Sequence, residues 1–481
     1  RMESSESCGR RCVQPGPQSL SGNDAFSDFP SEFGFGAINS QDVSRQAGDI
    51  IRKEFMAMGF RWELGPMADS ATEPRWARNQ STFGENPLTA AIHTRAWISG
   101  MQNYGCEEEQ CLRNGIAATM KHFPGAGPNQ NGMDSHSYEG RFNVFPGNNF
   151  QQHLMPFQAA VDVGVAAVMP CYSVYKSEVN GVLIPIAEDP YQVPAGFSPA
   201  LMTDILKTQM GFTGMATGDW GTSGDPYGNN AGLTTAQRAA NWLKAGSHQW
   251  GSDNVELFRD ALNEGYIDES HIDEAVGKIL EMSFKLGLFE NPYVDPDEAP
   301  QIVRSQEHML FGFDAQRRAI VMLENDNDVL PIVGSEDNDS NEDGEVQVFL
   351  DGIHDSDGEE NSDGTGLVSA PIIDPDDGSE SYYDPYVKDD SGADFLGEYD
   401  YTLPAVDPLL AVVEVGSPDE ADIAILRIGS RRGQYFGLDA GVPVSFDGPF
   451  PGNDNDGGLE IAIGERNQVL DLFRVRDGYM G

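Results

Sequence analysis

Between about residue 40 and residue 290, short apolar runs alternate with stretches in which apolar residues recur every three or four positions. The short runs, 61–68, 115–123, 166–171 and 214–218, with a weaker one at 245–250, read as buried strands. The amphipathic stretches predict helices over 41–58, 87–104, 151–163, 199–210, 235–244, 254–264 and 272–286. Asp253 and Asp268 stand where helices start, and Gly59, Gly164 and Gly211 stand just past helix ends. Strand and helix in regular alternation predict an α/β fold, either a barrel or a doubly wound sheet.

The rhythm breaks at Asn291-Pro292-Tyr293-Val294-Asp295-Pro296. A linker helix is expected over 306–324. Leu330-Pro331-Ile332 then leads into a stretch of different character, with no Lys or Arg between Arg318 and Lys388. Two strand-like runs, 346–350 and 421–428, predict a second α/β domain with acidic, solvated insertions. The expected organisation is a barrel over residues 1–300, a linker over 301–332 and a partial second domain over 333–481. The tail Arg474-Val475-Arg476-Asp477-Gly478 does not read as the end of a completed domain. The start, Arg1 with no Met and no apolar signal core, reads as processed or truncated.

Charge narrows the function classes. The formal net charge is -47, from 77 acidic and 30 basic residues. Phosphate neutralisation needs Lys and Arg, so a nucleic-acid partner is not expected. Neither is an anionic membrane surface, and no run reaches the ~18 apolar residues of a spanning helix. So acidic a chain repels itself, which suggests a halophilic or marine setting and a stability that rises with salt. The five cysteines offer two close pairs, Cys8/Cys12 and Cys106/Cys111, as candidate disulfides, with Cys171 left in an apolar run. That favours an oxidising compartment. The spacings do not suggest a zinc site.

Chemistry gathers at the strand ends. Lys121-His122-Phe123-Pro124-Gly125 closes the 115–123 run with two ionisable side chains able to donate hydrogen bonds to a polyhydroxy ligand. Asp219 and Trp220 follow the 214–218 run directly. An ionised, partly desolvated carboxylate there suits a covalent nucleophile at an anomeric carbon. Asp69 ends the first run. Beyond it, Arg75 and Arg78 are candidates to hold hydroxyls or brace the loop, and Trp76 is a candidate floor.

Taken in order, these segments resemble glycoside hydrolase family 3. Gly65-Pro66 with Asp69, Glu73-Pro74-Arg75-Trp76 with Arg78, and Phe83-Gly84-Glu85-Asn86-Pro87 look like its first signature, and Lys121-His122-Phe123-Pro124-Gly125 like its second. Gly211-Phe212-Thr213-Gly214 and Gly218-Asp219-Trp220 look like the stretch that ends in the nucleophile. Gly287-Leu288-Phe289-Glu290-Asn291-Pro292 and Val321-Met322-Leu323-Glu324-Asn325 are similar to its barrel exit and linker. The likeness is dense over about residues 30–332 and thin beyond. It implies a TIM-like (β/α) barrel followed by an α/β sandwich domain, incomplete at the C-terminus. The implied activity is retaining exo-hydrolysis of terminal non-reducing β-linked sugars, foremost as a secreted or periplasmic β-glucosidase needing no cofactor or metal. Its partner is an oligosaccharide or other β-glycoside. By the same likeness Asp219 is the nucleophile, Arg78, Lys121 and His122 hold hydroxyls, and Trp220 lines the first subsite.

The general acid/base departs from the pattern. Many members carry a Glu on a second-domain loop after a strand. Here the loop after 421–428 holds none, and Asp439 is the nearest acid, with Asp447 further on. Asp134-Ser135-His136 is similar to the proton-transfer element of the family's N-acetylglucosaminidase branch, so the alternative is a β-N-acetylhexosaminidase using Asp134 and His136. The segment around it, from Gly132 to Arg141, looks more like the glucosidase type. A third reading is a carbohydrate-binding protein that has lost its acid, or a chain whose acid lies beyond residue 481. Asp339, Asn341, Asp343 and Gly344 have the spacing of a calcium loop, but Leu350 stands where its Glu belongs, so a chance match is expected.

Overall fold

The computed structural model describes residues 26–323, apart from residue 77 and the short stretches 105–110, 137–139, 180–181, 186–191, 225–226 and 252–253. Outside that range it describes the backbone of a few short strands. The chain separates into two compact units, with the break between Val321 and Met322.

In the first unit, β1 (Trp62–Glu63), β2 (Thr119–Phe123), β4 (Ala167–Pro170) and β7 (Met215–Ala216) run parallel in chain order. Single bridges join Trp62 to Ala117, Met67 to Lys121 and Thr217 to Gln249, which extends the series at both edges. Parallel strands paired in chain order with helices between them form the TIM-like barrel. The expected strand over 245–250 contributes only the Thr217–Gln249 bridge. The four main strands stand where the apolar runs predict them, shortened at their ends. Ala117, Ala118, Met120, Ala167, Val168 and Ala216 are fully buried, so the runs are apolar on both faces.

The helices follow their periodicity closely. They are α1 (Glu32–Ile38), α2 (Gln41–Ala57), α3 (Pro87–Met101), α4 (Phe150–His153), α5 (Met155–Asp162), α6 (Thr235–Lys244), α7 (Glu256–Asn263), α8 (Glu269–Lys285), α9 (Ala299–Ile302) and α10 (Gln306–Ala319). Ala200–Gln209 is wound as a π-helix. Asn86 caps α3, accepting the N–H groups of Leu88 and Thr89, with Pro87 at the first helical position. Thr234 and Gln237 form a capping box on α6. Asp268 caps α8 as expected, and Gly59, Gly164 and Gly211 all adopt positive φ. Asp253 lies outside the described residues. The helices α2 and α3 touch through glycine: a Cβ at Gly48 would lie 2.3 Å from the Trp97 carbonyl oxygen. Trp97, Phe35, Phe55 and Phe83 fill the core around that crossing.

The side chain of Gln102, just past α3, ties two strands to the helix layer. Its Oε1 accepts from Ala166 N at 2.8 Å and from Ala118 N at 3.3 Å, while Nε2 donates to Gly164 O. A second sheet was not expected: β3 (Phe142–Pro146) pairs in parallel with β5 (Val174–Val179), which pairs antiparallel with β6 (Val182–Pro185). The linker helix α10 is shorter than predicted. It is held by Glu54 on α2, which accepts from His308 Nδ1 at 2.7 Å and from the Arg304 backbone at 3.0 Å.

In the second unit, β8 (Val346–Asp351) lies between β9 (Val412–Glu414) and β10 (Ile423–Leu426), all parallel. β8 and β10 coincide with the two strand-like runs. The residues of the calcium-like spacing before Leu350, and Asp439 and Asp447, lie outside the described residues. So do the side chains of Cys8, Cys12, Cys106 and Cys111. Cys171 is a buried free thiol.

Candidate active site

The C-terminal ends of β1, β2 and β7 bring the expected site residues together. Lys121 and His122 close β2, and both are buried. Asp69 follows β1 and is fully buried beneath His122. Its two oxygens accept the His122 backbone N–H at 3.1 Å, and Oδ2 accepts from the ring Nδ1 at 3.0 Å. Asp69 also takes the Ala126 N–H, so one carboxylate pins both sides of the Lys-His-Phe-Pro-Gly turn. Gly125 makes that turn with φ +130°, where a side chain would be strained.

The Asp69 bond fixes the proton of His122 on Nδ1 and turns the Nε2 lone pair outward. Nε2 accepts from Arg78 Nη1 at 3.2 Å and lies 3.8 Å from Asp219 Oδ2. Burial first, and then the Arg78 charge, lower the affinity of His122 for a second proton, against the pull of Asp69. A neutral ring in this tautomer is an acceptor at Nε2, and Arg78 is its partner there.

Asp219 stands three residues beyond β7 with its side chain 14% exposed. Oδ1 accepts the Trp220 N–H at 2.8 Å, and its carbonyl accepts from Thr222 Oγ1. Burial works to raise its pKa, but His122, His136, Arg78 and Lys121 together hold it below the usual carboxylate range. The carboxylate is therefore ionised at neutral pH and reachable from solvent. Trp220 is 40% exposed, at the mouth, and its carbonyl accepts from Tyr172 OH. Lys121 is pushed down to about 7, by burial first and then by Arg78, with Asp219, Glu32 and Glu63 opposing.

Asp134 and His136 stand close by. Asp134 Oδ1 bonds both Nδ1 and the backbone N–H of His136, and Oδ2 accepts from Trp76 Nε1 at 2.7 Å. Burial opposes ionisation, but the His136 bond and the Arg78 charge hold Asp134 far below the usual range. The His136 ring meets Tyr172 edge-on at 5.0 Å between centroids. The expected role of Trp76 is corrected here: it is fully buried and orients Asp134 instead of flooring a cleft. Arg75 follows the bracing reading, forking onto Glu73 at 2.7 and 2.8 Å.

Three participants were not singled out by sequence reasoning. Tyr172 had no marker beyond following a strand. Glu32 and Glu63 are buried acids within electrostatic reach of Lys121. Glu63 carries a sequence signal, an acid inside an apolar run, and Glu32 carries none. Among the described residues no cluster of three or more His, Cys, Asp or Glu could hold a metal ion, and no helix is long and apolar enough to cross a membrane.

Known proteins carry the same framework. Residues 17–282 match the family profile described as "Glycosyl hydrolase family 3 N terminal domain". The chain is 36% identical over 318 residues to Beta-glucosidase C of Emericella nidulans, covering 64% of this chain and 49% of that protein. It is 34% identical over 329 residues to the periplasmic beta-glucosidase/beta-xylosidase of Dickeya chrysanthemi, again 64% and 49%. The chain thus spans about half the length of these curated relatives. A solved β-glucosidase of Erythrobacter marinus aligns with TM-score 0.56 at 27% identity, over 69% of this chain and 41% of that one. A β-glucosidase of Listeria innocua solved with laminaribiose aligns with TM-score 0.63 at 19% identity, over 89% and 54%, which supports the fold alone. With the profile running across the barrel strands that present Asp69, Lys121, His122 and Asp219, the chain belongs to glycoside hydrolase family 3.

Proposed function

We propose that this protein hydrolyses terminal, non-reducing β-linked sugars with retention, foremost as a β-glucosidase, with Asp219 as covalent nucleophile. One observation carries the reading: an ionised, solvent-reachable carboxylate at a strand end, ringed by Arg78, Lys121 and His122. Those three are the hydroxyl-holding groups, and Trp220 lines the mouth of the subsite. Asp219 attacks the anomeric carbon as the glycosidic C–O bond breaks, and an acid delivers a proton to the departing oxygen. Water then opens the glycosyl ester with that acid acting as base. Retention needs this second group ~5–5.5 Å from the nucleophile. Asp439 is the first assignment for it. The reading includes no cofactor, and secretion or a periplasmic location agrees with the periplasmic relative.

A second reading rests on the Asp134–His136 pair. An ionised carboxylate fixed by Trp76 and bonded to His136 Nδ1 makes a proton-transfer dyad on the same barrel. It corresponds to β-N-acetylhexosaminidase activity.

Release of 4-nitrophenol from the aryl β-glucoside, β-xyloside and β-N-acetylglucosaminide tests both. Expected is turnover of the glucoside, lowered more than about a thousandfold in Asp219→Ala. Azide should rescue that variant and give the α-glycosyl azide, since a single displacement inverts the centre. A fully active Asp219→Ala variant overturns the mechanism. Faster turnover of the N-acetylglucosaminide, lost in His136→Ala, selects the second reading. Glucose binding by calorimetry with no turnover of any aryl glycoside would mark a binding protein instead.

A further inference from the structure

His248 is a buried ionisable side chain that the reaction as described leaves unused. It lies against β7, the strand that leads to Asp219. On one side β7 is held by β4: Met215 N donates to Ala166 O at 2.9 Å and Thr217 N to Val168 O at 2.8 Å. On the other side the segment 248–251 runs alongside. Gln249 N donates to Ala216 O at 3.0 Å, and Gly218 N donates to Gln249 O at 2.7 Å. In a regular parallel ladder the rung before these would run from Ala216 N to the carbonyl of residue 247. At that point the chain is still closing the end of α6: Gly246 has φ +89°, and Ser247 N donates back to Trp242 O. The imidazole supplies the missing rung. Ala216 N donates to His248 Nδ1 at 2.9 Å, and His248 N donates to Ala216 O at 3.1 Å, so one residue grips both backbone polar groups of Ala216. Ala216 is fully buried, so solvent does not replace that bond.

We propose that His248 is a positioning residue for the nucleophile: by completing the edge of β7 it fixes the backbone that carries Asp219, three residues beyond Ala216. The proposal rests on the glycosidase reading above. The same segment reaches Asp219 itself, since a Cβ at Gly251 would lie 2.8 Å from the carbonyl oxygens of Gly218 and Asp219. A backbone N–H is always a donor, so its bond to Nδ1 sets the tautomer and puts the ring proton on Nε2. Nε2 lies 3.3 Å from Lys207 Nζ and 4.0 Å from Glu274 Oε1, which is itself 3.7 Å from Lys207 Nζ. The Glu274 carboxylate is thus the acid that faces both nitrogens. Burial first, then the Lys207 and Lys278 charges, bring His248 down to about 3, against Glu281, so the ring is neutral and Nδ1 accepts. Reacting groups must be held closely, and a misplacement of about 1 Å costs on the order of a hundredfold in rate. The hydroxyl-holding groups do not share this support: Lys121 and His122 close β2, and Arg78 lies on the loop after β1.

The test compares His248→Asn with His248→Gln in the full chain. Asparagine places an acceptor oxygen where Nδ1 stands, and glutamine places its polar end one bond further out, near Nε2. Expected for His248→Gln is a kcat on the aryl β-glucoside about ten- to a hundredfold lower, with glucose binding in calorimetry changed less than about threefold. His248→Asn should keep kcat within about threefold of the unaltered protein. Hydrogen exchange at the Ala216 amide should quicken in His248→Gln and not in His248→Asn. Equal kcat in the two variants, or a loss of glucose binding as large as the loss of kcat, overturns the proposal, because general damage to the barrel does not distinguish the two acceptor positions. If His248→Gln fails to fold, Gly251→Ala takes its place. It crowds the Asp219 carbonyl and should lower kcat in the same way, and an unchanged kcat overturns the proposal. If the unaltered protein releases no aryl product, the glycosidase reading fails separately. Exchange at the Ala216 amide in the same variants then decides whether His248 holds β7.

Discussion

Asp69 accepts both N–H groups of His122, the ring Nδ1 at 3.0 Å and the backbone at 3.1 Å, across 53 residues of sequence. The first bond fixes the tautomer and the second fixes the turn. Asp69→Asn should disturb both, because its amide NH2 meets N–H groups where an oxygen is required. A buried hydrogen bond to a charged group contributes about 1.5–3 kcal/mol. Expected is a drop in kcat/KM of about 10–100-fold together with a lower melting temperature. Unchanged kcat/KM would show that the orientation of His122 does not matter.

Lys121 titrates at about 7 in the folded chain, against 10.5 for an ordinary lysine. Its ammonium is present below that value and is lost as pH rises through it, so sugar binding that needs the charge weakens above about pH 7. The stability effect has the opposite sense. Between about 7 and 10.5 the unfolded chain holds a proton that the folded chain has released, so this group favours folding as pH rises through that window. Below it, the buried charge is a cost. Lys121→Met should therefore weaken glucose binding in calorimetry while raising stability near pH 6 by about 1–3 kcal/mol in denaturant titration. A variant that loses stability near pH 6 contradicts the buried-charge account.

Much of the barrel is legible in the sequence because its strands are apolar on both faces and its helices carry plain start and stop signals. The 235–244 helix is read to the residue, since Thr234 caps it and the lone Lys244 ends it. The side sheet is not legible. Val174–Val179 runs Val-Tyr-Lys-Ser-Glu-Val, with three polar residues in succession, so no period-two pattern marks it in the sequence. The grouping of Lys121, His122 and Asp219 follows from strand ends alone. The bond from Asp69 to His122 and that from Trp76 to Asp134 do not, because they join distant segments through side-chain direction. Glu63 is hidden for another reason: within an apolar run, one acid resembles a wet strand end until its burial is seen.

Glu54 on α2 joins the chain before the barrel to the chain after it. It accepts Ser27 N at 2.9 Å, Ser27 Oγ at 2.6 Å, Arg304 N at 3.0 Å and His308 Nδ1 at 2.7 Å. Arg304 also donates to Asp28 and to Phe26 O. Removing one partner of such a buried set leaves the others without acceptors, at a cost of about 3 kcal/mol or more. Glu54→Ala should unfold at correspondingly lower denaturant, and protease should release the segment around α10 early. His308→Ala should cost less, because it strands only one acceptor site. Equal stability of Glu54→Ala and the unaltered protein would mean that α10 is held by its apolar contacts alone.

The acid excess makes a prediction for the whole chain. With 77 acidic against 30 basic residues, self-repulsion opposes every compact state at low ionic strength. Repulsion between exposed carboxylates falls off over about 10 Å in 0.1 M salt and about 3 Å in 1 M. Surface pairs such as Lys53–Asp49 and Lys285–Glu281 weaken too as salt is added, but each contributes about 1 kcal/mol or less. Long-range repulsion between a net 47 negative charges outweighs them. The melting temperature should therefore rise as KCl increases from about 0.05 M to 1 M. KCl is the right probe, because sulfate would also strengthen apolar burial and blur the cause. Maximal stability at the lowest salt would show that local pairing, and not net repulsion, controls folding.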